Sequence, residues 1–153
     1  MGAGAPTARR HSKEAVPLIQ VVAGKKGSGK TKRIIDMANR ASQDSKHDIV
    51  FIDDDNRYMF DLRHEVRFIN AGECELKNDQ MFMGFLCGAV AQNFDVGQIF
   101  VDAFKKLIKT ELQATEWLFE RMERISADHG VDFILSISDD PDDLPDFIKK
   151  YVV

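Results

Sequence analysis

The sequence predicts an α/β fold: a three-layer α-β-α sandwich around a mostly parallel sheet of about five strands. Three observations lead there. Short apolar runs alternate along the chain with longer amphipathic stretches. Several runs are continuously apolar, as in strands buried on both faces. The chain has 153 residues and is 44% hydrophobic, enough for one domain with its own core and too apolar for disorder.

Each element can be justified in turn. Residues 1–15 are rich in Gly, Ala, Pro, Ser and charge and predict a disordered tail, leaving 16–153 as a single domain. The first strand is expected at residues 17–23 and a helix at 30–42, where Ile34, Ile35, Met37 and Ala38 give a buried stripe. Residues 48–53 form an apolar run with an acidic end, and 67–70 a short strand. The apolar segment 79–94 is too long for a strand and reads as a helix. Its Gly84 and Gly88 lie four apart and would allow close packing on the sheet or against a second copy. Residues 98–102 are another strand, and 110–129 a charged amphipathic helix stopped by Gly130. Residues 131–138 are the last core strand, and an acidic turn leads from it to a short helix ending at Lys150.

Between the first strand and the first helix lies Gly24-Lys25-Lys26-Gly27-Ser28-Gly29-Lys30-Thr31, which fits G-x-x-x-x-G-K-[ST] at every fixed position. Glycines allow such a loop to turn back so that successive N–H groups converge on one anion. The helix that follows adds free N–H groups and the positive end of its dipole. Lys30 would bridge the terminal phosphates, and the Thr31 hydroxyl would ligate Mg²⁺. On these residues the chain resembles the P-loop NTPases, with a RecA-like or deviant-Walker ATPase core, and it is similar to small bacterial ATP-binding proteins. The resemblance covers about residues 17–138 as a pattern and is specific only at the loop.

In parallel sheets ligands sit at the carboxyl ends of the strands. The glycine loop, Asp53, Asp102 and Ser138 are all expected there. Ile99-Phe100-Val101-Asp102 has the form of a Walker B strand, so Asp102 is a candidate Mg²⁺ ligand, on a strand expected beside the one carrying the loop. In many RecA-like ATPases a glutamate follows that aspartate and polarises the attacking water; Ala103 stands here. Asp53-Asp54-Asp55 offers a substitute, with Asp53 and Asp55 as candidate catalytic residues beside Lys30. The run resembles the D-x-D of deviant-Walker partitioning ATPases, in which one Asp orients water and another contacts metal. Lys25 stands where those proteins carry a signature lysine, while Lys26 replaces the first glycine of their pair. In RecA-like proteins a polar residue at the end of the last core strand can sense the γ-phosphate, which makes Ser136 and Ser138 candidates. Arg57, Arg63 and Arg67 are candidate arginine fingers.

Other classes find little support. Net charge is −4, divided between +7 in residues 1–33 and −11 in the remainder. The basic end coincides with the proposed anion site and lacks the interleaved aromatics of a nucleic-acid face. Cys74 and Cys87 form no C-x-x-C, and the four histidines show no metal spacing. No secretory signal or membrane span is apparent, so a cytoplasmic protein is expected. No N-K-x-D guanine-reading sequence occurs, so ATP with Mg²⁺ is the expected ligand. The expected function is a slow or partner-stimulated ATPase, with a homodimer or protein partner open. The alternatives are a non-hydrolysing nucleotide switch and a small-molecule phosphotransferase.

Overall fold

The computed structural model describes residues 18–153. The expected tail at 1–15 and the first two residues of the domain lie outside that range, and so does the expected start of the first strand at 17. Within it, five strands form one all-parallel sheet: β1 (Ile19–Ala23), β2 (Asp48–Asp53), β3 (Val66–Asn70), β4 (Val96–Val101) and β5 (Asp132–Ile137). Their order across the sheet is β1-β5-β4-β2-β3. The five main helices are α1 (Lys30–Asp44), α2 (Asp79–Ala91), α3 (Phe104–Ile108), α4 (Glu116–His129) and α5 (Asp146–Lys149). The α/β sandwich expected from the sequence is therefore the observed architecture.

Strand alternation sends successive side chains to opposite faces. On one face Val22, Ile49, Phe51, Phe100 and Ile134 pack under Ile34, Ile35 and Ala38 of α1. On the other Val21, Val50, Ile52, Ile99, Val101, Phe133 and Leu135 pack under residues of α2, α3, α4 and α5. The layers are thus unequal: among the described residues α1 is the one main helix over this face, and Tyr58 and Leu62 of the segment after β2 complete its cover. On that face Phe51 stacks between Phe68 and Phe100, with ring centroids 6.4 and 6.3 Å apart, which ties β3, β2 and β4 into one apolar row.

Several boundaries differ from expectation for identifiable reasons. The strand carrying Asp102 is not beside the loop strand, because β5 lies between β1 and β4. The helix expected from 110 begins at Glu116. A 3₁₀ turn at Leu112–Ala114 precedes it, and the Thr115 hydroxyl bonds back to the Leu112 carbonyl at 2.7 Å. The short helix α3 was not expected at all; left-handed residues Ala103 and Lys109 bound it on both sides. α2 stops at Ala91, short of the expected 94. Gly84 and Gly88 do not press on the sheet as expected. Both are exposed, and a Cβ on either would meet open space. At the far edge the last residues lie along β1: the Val21 N–H donates to the Tyr151 carbonyl at 2.9 Å, and the Val153 N–H to the Val21 carbonyl at 3.0 Å.

Candidate functional site

The strand parity that builds the core also builds the site. Phe51 and Asp53 lie two apart on β2, so both face α1. Phe100 and Asp102, and Ile134 and Ser136, are related in the same way. Asp53, Asp102 and Ser136 therefore form a polar row at the carboxyl edge, directly above an apolar one. All three are buried, at 2%, 6% and 3% exposure.

The loop preceding α1 curls over this row. Gly27 and Gly29 hold φ of 85° and 89°, which glycine adopts without a Cβ penalty. A Cβ on Gly24 would come within 2.5 Å of the Ser28 hydroxyl oxygen, so the loop closes tightly on itself. Gly29 caps α1 with no side-chain hydrogen bond, leaving the first-turn N–H groups for a ligand. The Lys30 ammonium donates to the Lys25 carbonyl at 3.0 Å across the loop. Burial lowers its pKa, and the Asp102 carboxylate acts in the opposite sense. The Thr31 hydroxyl donates to Asp102 Oδ2 at 3.0 Å.

Around this centre runs a cleft of about 980 Å³. It is lined by Lys26, Gly27, Gly29, Lys30 and Thr31 from the loop and α1, by Asp53, Asp54 and Asp55 after β2, and by Asp102, Ala103 and Ser138. The structure thus gathers most of the sequence-predicted residues in one place. Lys25 is an exception: its side chain is largely exposed and faces Asp140 at 3.9 Å. Of the three arginines, Arg57 lines the cleft, held by Asp55 at 3.1 Å. Arg63 pairs with Glu65 and Arg67 is exposed on β3. Ser136 has its hydroxyl on Asp102 rather than in the cleft, while Ser138 is exposed and lines it.

The acidic run is divided in its environment. Ligand oxygens of Asp53, Asp54 and Asp55 lie within 4.8 Å of one another. Asp53 Oδ1 accepts the Asp54 N–H at 2.7 Å, whereas its buried Oδ2 has no hydrogen-bond partner. Burial pushes the Asp53 carboxyl up to about 8, and the Asp54 side chain and the negative charge of Asp102 push in the same direction. Asp55 instead accepts from the Arg57 backbone and guanidinium.

The sequence reading missed the contributions of Asn39 and α3. Asn39 donates to the Asp61 carbonyl at 3.0 Å and accepts the Arg63 N–H at 2.8 Å, pinning the segment after β2 onto α1. That pin holds one wall of the cleft, where Tyr58 and Asp61 lie. A lone Asn in a helix carries no signal of such a role. Lys105 and Lys106, from α3, line the same cleft. The clue was a basic pair three and four residues after Asp102.

The donor set fits Mg²⁺ and a phosphate chain. A hydroxyl and a carboxylate oxygen meet at Thr31 and Asp102, hard oxygen donors of the kind Mg²⁺ takes. Beside them stand the Lys30 ammonium, on a largely covered side chain, and an uncapped helix start.

No protein-family model matches the chain, and no curated protein does. Among solved structures it is similar to the crystal structure of domain III from the Thermotoga maritima replication initiation protein DnaA. Identity is 15% and the TM-score 0.49, over 98% of this chain and 58% of that one. The chain therefore spans little more than half of that structure's length, and a likeness this distant says nothing of activity. Among the described residues no helix is long and apolar enough to cross a membrane.

Proposed function

We propose that this protein binds Mg-ATP in the carboxyl-edge cleft and hydrolyses it slowly or on stimulation by a partner. The observation that carries the reading is the meeting of Thr31 and Asp102, adjacent to Lys30 and the glycine loop. Backbone N–H groups of the loop and of the first turn of α1 would take the phosphates. Lys30 would exchange the Lys25 carbonyl for phosphate oxygens. Thr31 and Asp102 would hold Mg²⁺, which when bound neutralises charge that builds on the phosphates.

For water activation the reading favours Asp53 over Asp55. Asp55 is engaged by Arg57, whereas Asp53 has a free oxygen beside Asp102. Burial raises the Asp53 pKa, and Mg²⁺ held at Asp102 would offset the part contributed by the Asp102 charge, so that the carboxylate could take a proton from water near neutrality. Ala103 lines the cleft directly after Asp102 with a methyl group where a general base would help. That single feature favours a second reading, a nucleotide-binding switch with little turnover.

Calorimetric titration with Mg-ATP, followed by phosphate release from the same sample, tests both. Binding with release that falls about 100-fold in Asp53→Asn supports the ATPase. Binding with no release supports the switch. Absence of binding by the parent protein overturns both.

A further inference from the structure

Asp102 does not set its own orientation. Both of its carboxylate oxygens are engaged from outside its strand. Oδ2 accepts from Thr31, and Oδ1 accepts from the Ser136 hydroxyl on β5. The same Ser136 oxygen accepts the Ala103 N–H at 3.1 Å. One buried hydroxyl thus holds both the carboxylate and the backbone of the next residue.

That backbone needs holding. Ala103 sits in the left-handed region at φ 61°, ψ 40°, a conformation costing a non-glycine residue about 1–2 kcal/mol. Immediately after it the chain turns into α3, whose Lys106 and Leu107 N–H groups bond to the Ala103 carbonyl at 3.0 and 3.1 Å. Without the Ser136 oxygen, the Ala103 N–H would lose its partner at a partly buried corner. The strand order explains why this residue is placed to act. β5 lies between the loop strand and the Asp102 strand, with Ser136 in register with Val22 of β1 and Leu135 in register with Val101 of β4.

We infer that Ser136 is a positioning residue for the divalent cation. It fixes the Asp102 carboxylate so that one oxygen is used up inside the protein and the other remains against Thr31, where the pair can share a cation. A direct phosphate contact by Ser136 is disfavoured, because its hydroxyl is buried and both donates and accepts within the protein. The inference rests on the proposal that the cleft holds Mg-ATP, and it concerns the metal half of that site.

The test compares the parent with Ser136→Ala, Ser136→Cys and Ser136→Thr. ATP affinity is measured with Mg²⁺ and with EDTA, and the thermal midpoint is recorded for each protein. The expected result is that Ala and Cys reduce the Mg²⁺ enhancement of ATP affinity about 10-fold or more, leave affinity in EDTA within about two-fold, and that Thr keeps most of the enhancement. The Cys variant is close to isosteric and serves if Ala fails to fold. Full enhancement in the Cys variant overturns the inference. So does an equal loss with and without Mg²⁺, which marks a merely structural role. Mn²⁺ binding without nucleotide, followed by water-proton relaxation, separates this inference from the function proposal. If the parent binds Mn²⁺ but not ATP, and Ser136→Cys weakens Mn²⁺, the positioning role stands and the nucleotide reading fails. If the parent binds neither, both fail.

Discussion

The Thr31 hydroxyl donates to Asp102 Oδ2 at 3.0 Å across 71 residues of chain. Thr31 is in the first turn of α1 and Asp102 just past the end of β4, two strands away from β1. The contact forms because α1 lies across the sheet face on which Phe51, Phe100 and Ile134 also lie, bringing its first turn over the polar row above them. A hydrogen bond to a charged group adds about 1.5–3 kcal/mol net, a modest share of a fold's stability, so its interest lies in what it brings together. Two hard oxygens are adjacent.

If that pair is the cation site, Asp102→Asn should cost metal rather than fold. The amide can still meet the Thr31 hydroxyl, but it removes the negative charge that a divalent ion needs. We expect Mg²⁺ enhancement of ATP binding to fall at least about 10-fold, with affinity in EDTA little changed. Titrations with and without Mg²⁺ check this, and equal affinities in parent and variant would remove Asp102 from the site.

Lys30→Ala separates the phosphate half of the site from the metal half. Lys30 is 8% exposed, and its ammonium is held by one carbonyl, so its loss leaves a small gap at an open edge and not a core cavity. The variant should unfold within a few degrees of the parent and lose ATP binding both with and without Mg²⁺. Tight binding by the variant would end the phosphate-loop reading.

The fold and half of the site were legible because they are local or periodic. Continuous apolar runs identified the strands, and the glycine loop carries a fixed spacing. The position of β5 between β1 and β4 was not legible, because strand order depends on long-range pairing that no local pattern encodes. For the same reason the sequence offered Ser136 only as one of two candidate phosphate sensors and gave no sign of its bond across to Asp102. Parity would have helped: Ser136 lies two residues from Ile134, as Asp102 does from Phe100. Gly84 and Gly88 misled because α2 is apolar nearly all round, so its sequence does not distinguish an inner from an outer face.

Asp53 gives the nucleotide-free protein a pH-dependent stability. Its carboxyl is raised from 3.8 to about 8, so the folded state holds a proton that the unfolded state has released between those values. Its stabilising contribution is full below about pH 4, declines as pH rises through that window and is gone above about 8. Asp53→Asn imitates the protonated carboxyl at every pH. We expect the variant to melt close to the parent near pH 4, above it near pH 9, and with a shallower slope between. Denaturation across that range decides it, and identical slopes would mean that Asp53 ionises normally in the fold.

Glycines 72 and 84 should respond to alanine in opposite directions. A Cβ on Gly72 would come within 2.1 Å of the Asp54 carbonyl oxygen, a backbone atom that can move only by shifting the acidic run. Gly72→Ala should therefore destabilise by about 1–3 kcal/mol, by displacing the Asp54 backbone. Gly84 is exposed inside α2, and its Cβ would meet open space, so Gly84→Ala should stabilise by about 0.5–1 kcal/mol through helix propensity. Chemical denaturation of both variants gives the two signs directly. A destabilised Gly84→Ala would mean that something packs on that face of α2 in solution, and its dependence on protein concentration would tell whether a second copy does.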